Sequence, residues 1–370
     1  MRNHKKKVLI VGQIPPPYGG QAIRIKQTID HNYKSLKIFH VNLNFSQNMA
    51  GVGKVNPLKI LHLFMTILRI LKIRFSKGVK NIYYPPAGPN TIPIIRDTII
   101  LTLVRPFFTK TIFHFRASGI SEKLKNNNLL YFLTYGAYFR PDISLQLSQH
   151  APPDGPFLKS KHTQILNNGQ PNLNPKNRKP NQKTDKIKIL YVGVIKESKG
   201  IFDLLDAFHL LLTKNENLLL RIMGEPDHTN TKNRLIKQAE GMGLLNNIEF
   251  LGVITGTDRF EFYLDSNIFV FPSFFESEAM PNVVIEAMQF NLPVVATKWR
   301  GAKELVIDKQ TGFLVPIKSP LKIFERVQEL INKPTLRASM GLEGRKHYLE
   351  NYQEQKYFEN FEKIIFNNTI

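Results

Sequence analysis

The sequence predicts an α/β protein built as two doubly wound domains facing each other across a cleft. Three observations carry this. Short apolar runs alternate with helix-length segments from end to end, the pattern of parallel strands covered on both faces. The polar, proline- and asparagine-rich stretch 171–186, PNLNPKNRKPNQKTDK, interrupts that alternation and reads as a linker. A second alternation follows it, and 370 residues give room for two domains of ordinary size. The expected division is a first domain over 1–170, the linker over 171–186 and a second domain over 187–345. A C-terminal helix over 346–370 could return to the first domain.

In the first domain the runs at 8–11, 36–41, 81–84, 111–115 and 143–145 read as strands. Val8-Leu-Ile-Val is apolar without alternation, as suits a strand buried on both faces. Helix-like segments fall between them, including 21–32, 58–75 and 91–107. In the second domain the expected strands are 187–194, 218–223, 248–251, 268–271 and 293–297. The expected helices are 201–213, 231–242, a short one near 258–264, and 281–290. Pro281 suits the first position of that last helix, where its missing N–H costs nothing. The tail over 321–366 is mostly helical in pattern.

An apolar fraction of 42% supports packed cores and argues against wholesale disorder. The chain has no cysteine, which excludes disulfides and thiolate chemistry. A net charge of +22 points to anionic partners and says nothing of fold. The first residues loosely imitate a signal peptide, but the apolar run is too short and lacks a small-residue cleavage site. The best span candidate, 60–75, is broken by His62, Arg69, Lys72 and Arg74.

The densest chemistry lies between 271 and 316. Glu278 should sit in the loop at a strand's carboxyl end and Glu286 about a turn and a half into the next helix. Both then face the crevice where open α/β sheets bind ligands. Two carboxylates could be a general acid and base, or hydrogen-bond acceptors for sugar and ribose hydroxyls. Lys199 ends the first strand–turn–helix of the second domain, where it could neutralise charge on a departing diphosphate. Gly19 and Gly20 follow the first strand and would let backbone N–H groups approach an anion, although an ordinary tight turn reads equally well. His114 ends a strand and could position a hydroxyl or shuttle a proton; a lone histidine is more often structural. Arg116, on the same strand face, is a rival anion contact. The helix over 58–80 is basic and amphipathic, which suits a packed helix and also an anionic membrane surface. The glycine-rich run 50–55 follows no strand and lacks P-loop spacing. No companions at ligand spacing suggest a metal site.

The run Phe271-Pro-Ser-Phe-Phe-Glu-Ser-Glu-Ala-Met-Pro-Asn-Val-Val-Ile-Glu-Ala-Met, followed by Leu292-Pro-Val-Val-Ala-Thr, resembles one family closely. It is similar to the retaining, nucleotide-sugar-dependent GT-B glycosyltransferases of family 4. Gly301, Glu304, Thr311-Gly-Phe-Leu-Val-Pro, Tyr191-Val-Gly, Lys199-Gly200 and Tyr18-Gly-Gly fit as well. The resemblance implies a Rossmann-like acceptor-binding first domain and a Rossmann-like donor-binding second domain. The donor would be a UDP- or GDP-sugar and the acceptor a glycan or lipid-linked glycan of the bacterial cell surface. Glu286 would accept from ribose hydroxyls and Glu278 from the donor sugar. Gly193, Lys199 and the backbone near Ala279, Met280 and Asn282 would hold the diphosphate, with Gly19 and Gly20 closing on it. His114 matches a sugar-contacting histidine. His114, Lys199 and Glu278 are thus the catalytic candidates, with no cofactor, metal or nucleic acid expected. The implied location is the cytoplasm, peripheral to the inner face of the plasma membrane.

Two positions depart from the family pattern. Val194 stands where an arginine often follows the strand's glycine, leaving Lys196, Arg116 or Arg221 to replace its anion contact. Ala279 stands where glycine is usual. Two other readings compete: a sugar-nucleotide epimerase of the same fold, and a non-enzymatic basic protein binding membrane or nucleic acid.

Overall fold

Every strand expected in the first domain becomes part of one parallel sheet. The structure, a computed structural model, describes residues 5–16, 20–44, 57–178 and 186–367. The chain divides into two compact units, residues 1–167 with 355–370, and residues 168–354.

Unit 1 contains β1 (Lys6–Gly12), β2 (Leu36–Asn42), β3 (Asn81–Tyr84), β4 (Lys110–Phe115), β5 (Ile143–Gln146) and β6 (His162–Ile165). They lie in the order β2-β1-β3-β4-β5-β6, so the winding reverses between β1 and β3. The helices are α1 (Gly20–Asp30), α2 (Pro57–Ser76), α3 (Thr91–Val104), α4 (Ile120–Lys125), α5 (Asn128–Tyr138) and α6 (Asp154–Phe157). One face of the sheet is covered by α2, α3 and α5. Alternation along the strands sends the other side chains to the opposite face. There Val8, Ile10, Tyr83 and Ile112 meet Ile25 of α1. The same cluster takes Tyr357, Phe361 and Ile364 from the last helix of the chain, α14 (Glu354–Asn367). The expected helix over 91–107 stops at Val104 and tightens into a 3-10 turn over Arg105–Phe107, because Pro106 has no N–H to continue it.

Unit 2 contains β7 (Ile187–Val192), β8 (Leu218–Met223), β9 (Ile248–Gly252), β10 (Ile268–Phe271), β11 (Val294–Thr297) and β12 (Gly312–Val315). Its order is β12-β11-β10-β7-β8-β9, with the reversal between β7 and β10. Its helices are α7 (Ile201–Leu212), α8 (Thr229–Gly241), α9 (Arg259–Leu264), α10 (Asn282–Gln289), α11 (Ala302–Leu305), α12 (Pro320–Asn332) and α13 (Pro334–Asn351). Packing of α7, α8 and α12 on the sheet forms the larger core.

The stretch expected to be an exposed linker behaves differently over 171–178. Leu173 N–H donates to Gln289 Oε1 at 2.7 Å and Arg345 donates to Asn172 Oδ1 and the Asn174 carbonyl, both at 2.9 Å. Asn174 is buried. Asparagines satisfy helix-end and backbone groups here, so polarity marks a hydrogen-bonded seam of unit 2 and not a free tether. Residues 179–185 lie outside the described residues.

Candidate active site

Open α/β sheets bind ligands where the winding reverses, outside the carboxyl ends of the strands. In unit 2 that point lies between β7 and β10, and the loops leaving those strands carry Lys199 and Glu278. After β7 the chain passes through Gly193 and a 3-10 turn over Glu197–Lys199, then Gly200 starts α7 at φ +72°. A side chain at Gly200 would meet the Pro272 carbonyl oxygen at 2.1 Å, so the two loops can touch only through glycine. The contact continues with Phe274 N–H donating to the Ser198 carbonyl at 2.8 Å. As a result Lys199 Nζ reaches Glu278 Oε2 at 2.5 Å, and the Ser273 hydroxyl donates to the same oxygen at 3.2 Å. The pair is mostly shielded, with side chains 18% and 12% exposed. The Glu278 charge and, more strongly, burial hold the Tyr191 phenol well above its usual range.

The loop after β10 is pinned from β11. The Trp299 indole N–H donates to the Phe275 carbonyl at 2.9 Å, and the Thr297 hydroxyl donates to the Ser273 carbonyl. Gly301 lies so close that a Cβ there would sit 1.9 Å from the Ala279 carbonyl oxygen. Ala279 and Met280 are buried, and Asn282 Oδ1 accepts from Asn168 Nδ2 at 3.2 Å. Pro281 proves to be the residue before α10, in an extended conformation (ψ 112°), one place earlier than expected. Glu286 is therefore the fifth residue of α10, and it is buried.

Glu286 points at α9. Arg259 donates to Oε1 at 3.0 Å and the Tyr263 hydroxyl to Oε2 at 2.9 Å. A carboxylate offers about four lone-pair sites, so each oxygen keeps acceptor capacity while its orientation is fixed. Arg259 and Tyr263 were missed in the sequence. Their i,i+4 spacing on a short helix was the available signal, but nothing at that level tied α9 to α10.

Of the candidates to replace the arginine missing at Val194, Arg221 is already committed. It donates to Glu249 at 2.7 Å and to Asp265 at 2.8 Å and is buried. Lys196 is better placed. Its ammonium lies 5.3 Å from the centre of the Phe275 ring, over which Lys199 sits at 4.7 Å. Two ammonium groups thus lie near one aromatic ring of the Glu278 loop.

In unit 1 Gly20 is the first residue of α1, and Gly19, like the 50–55 run, lies outside the described residues. His114 was expected at an open crevice, and here the structure corrects the reading. The ring is wholly buried between the sheet and α14, because β4 alternation turns it toward that layer. Its Nδ1 is 2.7 Å from the Tyr83 hydroxyl, and Nε2 is buried with no hydrogen-bond partner among the described residues. Arg116 is buried beside it and donates to the hydroxyls of Tyr83 and Tyr357. Burial, with the charges of Arg116 and Arg24, holds His114 well below the usual histidine range. It is therefore neutral at pH 7 and unsuited to shuttling protons.

That shift makes stability depend on pH. Unfolded, a histidine gains a proton near pH 6.5, whereas folded His114 stays neutral. The unfolded state then binds the extra proton, and stability falls as pH drops below about 6.5. The thermal midpoint should fall more steeply between about pH 7 and 5 in the parent than in His114→Gln. His40, also held low by burial, contributes a residual slope. Equal slopes in scanning calorimetry would remove His114 from this account.

Residues 174–347 match the family model for glycosyl transferases group 1. The capsular polysaccharide biosynthesis glycosyltransferase CapM of Staphylococcus aureus is 32% identical over 180 residues, 49% of this chain and 46% of CapM. The chain spans about half the length of the curated relatives it matches. Among solved structures, sucrose-phosphate synthase from Thermosynechococcus elongatus is 15% identical with a TM-score of 0.74, over 98% of this chain and 99% of that one. Anabaena HepE, solved in complex with UDP-glucose, is 15% identical with a TM-score of 0.69, over 98% and 99%. At these identities the structural likeness is one of fold. Residues 174–347 of unit 2 thus match a glycosyl transferases group 1 domain, and the chain as a whole shares its fold with these solved structures.

Proposed function

We propose that the protein is a retaining, metal-independent glycosyltransferase. It takes a sugar from a UDP- or GDP-sugar and adds it to a glycan or lipid-linked acceptor during assembly of a bacterial cell-surface polysaccharide, at the cytoplasmic side of the membrane. The observation that carries the reading is the shielded Lys199–Glu278 pair at the switch point of a group 1 domain. Without donor the two charges compensate each other. A nucleotide-sugar offers each a replacement: diphosphate oxygens for Lys199 and sugar hydroxyls for Glu278. After the exchange Lys199 remains ion-paired and Glu278 remains hydrogen-bonded.

In this reading Glu286, aimed by Arg259 and Tyr263, accepts from the ribose hydroxyls. Lys196 and Lys199, with the backbone N–H groups at the start of α10, take the diphosphate. Gly193 keeps the strand end bare so that the diphosphate can approach. The anomeric bond to the diphosphate breaks as the acceptor oxygen bonds on the same face of the sugar. The acceptor's proton passes to the departing diphosphate, so no side chain needs to titrate. His114, buried against α14, takes no part in the transfer in this reading. CapM's role in capsular polysaccharide biosynthesis and HepE's complex with UDP-glucose support the choice of pathway class and donor class.

Thermal-shift screening against UDP, GDP and their sugars tests the donor assignment directly. One nucleotide series should raise the midpoint, and its sugar should be turned over with acceptor. Stabilisation by neither series would count against the donor site as drawn.

A further inference from the structure

We propose that the outer faces of α2, α3 and α5 form one apolar platform that seats unit 1 in the surface of an anionic lipid bilayer without crossing it. All three helices cover the same face of the sheet. Ile67 and Ile70 of α2, Ile100 of α3 and Leu130 of α5 pack into one cluster with Leu9 and Phe113 of the strands. Their opposite sides therefore face outward together. A helix that serves only a core keeps its outer side polar, and these do not. On α2, Leu61, Phe64 and Leu68 are 62%, 54% and 60% exposed, one stripe at i, i+3 and i+7. On α5, Leu129 and Phe132 are the most exposed large apolar side chains among the described residues, at 70% and 78%. Ile95 continues the stripe on α3, between them. Among the described residues, more than half of the exposed large apolar side chains lie on these three helices. Singly such residues mean nothing; gathered on adjoining helices they mark an interface.

Charge identifies the partner. Between positions 57 and 140 the sequence contains two carboxylates, Asp97 and Glu122. Asp97 is buried and bonded to Tyr84 and Arg96, so it contributes nothing to the surface. Arg69, Lys72, Lys77 and Lys80 are exposed along and beyond α2. Aliphatic stripes with a cationic border match acyl chains beneath anionic headgroups. A second copy of the chain would set the same cations against each other. No helix among the described residues is long and apolar enough to cross a membrane, so the contact is interfacial. The sequence pointed to α2 alone, through its lysines. The structure adds α3 and α5, and α5 has no charged residue. Apolar insertion, and not charge alone, should therefore hold the protein.

The inference does not rest on the transferase reading, since vesicle binding is measured without substrate. The full chain should co-sediment with vesicles of phosphatidylcholine and phosphatidylglycerol, and keep a measurable part of that binding in about 0.5 M NaCl. The variant L61S/L68S/L129S/F132S should bind at least roughly tenfold more weakly, with its thermal midpoint and nucleotide response unchanged. Because the chain lacks cysteine, F132C can carry a polarity-sensitive fluorophore. Its emission should shift blue on anionic vesicles and be quenched by nitroxide lipids, while the same label on K214C in unit 2 stays unaffected. Equal sedimentation of parent and variant, loss of all binding in salt, or an unshifted F132C label would each overturn the proposal. So would a parent dimer that the four substitutions convert to monomer, which would assign the platform to a second copy.

Discussion

Lys199→Ala is expected to lower the turnover of sugar transfer by about 10²–10³-fold while changing donor affinity much less. The reason is timing. In the resting protein Lys199 is neutralised by Glu278 at 2.5 Å, so its charge gains most when negative charge grows on the departing diphosphate. A preorganised donor aimed at developing charge is worth about that factor in a water-excluded site. The substitution also leaves Glu278 without its ammonium, so a modest loss of stability accompanies the kinetic effect. Lys196, over the same Phe275 ring, should sustain part of the rate, and the double variant should fall further than either single one. The check is a kcat and KM comparison with the donor found by screening. An unchanged kcat would place the diphosphate elsewhere.

Glu286→Gln should weaken donor binding by about 10–100-fold, since hydrogen bonds to charged groups contribute about 1.5–3 kcal/mol and each 1.4 kcal/mol is tenfold. Glutamine keeps the volume but presents one acceptor oxygen. It cannot accept from Arg259, Tyr263 and two ribose hydroxyls at once. The effect should therefore be coupled to α9: after Tyr263→Phe, which frees one acceptor site but loosens the carboxylate, Glu286→Gln should cost less than in the parent. A double-mutant cycle on nucleotide affinity measures that coupling. Additive losses would show that α9 does not position Glu286.

Much of this arrangement was legible because it depends on local pattern. Continuous apolar runs such as Val8–Val11 can be strands only if both faces are covered, and that implies βαβ winding. The glutamate block and Pro281 placed a loop and a helix within one residue. The losses share a cause: each depends on a partner distant in sequence. The edge strand His162–Ile165 carries polar side chains on exposed faces, so no apolar run announces it. The polar stretch at 171–178 looked like a tether because the partners of its asparagines, Gln289 and Arg345, lie far away in sequence. His114 appeared to end a strand at a crevice, and the layer that buries it is supplied by α14, some 240 positions later by its Arg116–Tyr357 contact (|i−j| 241). Arg259 and Tyr263 acquire meaning only when α9 lies beside Glu286.

The return of the chain in α14 also bears on how the protein is made. Unit 1 is assembled from residues 1–167 and 355–370. During synthesis its sheet leaves the ribosome long before Tyr357, Phe361 and Ile364 exist to cover one of its faces. Unit 2, a continuous segment, has all its residues first. The ordinary N-to-C order of domain folding is thus inverted here: the unit translated first is the last whose core can be closed. Until α14 is released, the apolar side of β1, β3 and β4 that carries Val8, Ile10, Tyr83 and Ile112 is covered only in part, by α1. Chaperone demand and the harm done by C-terminal truncation should both concentrate on the half of the protein farthest from the cut.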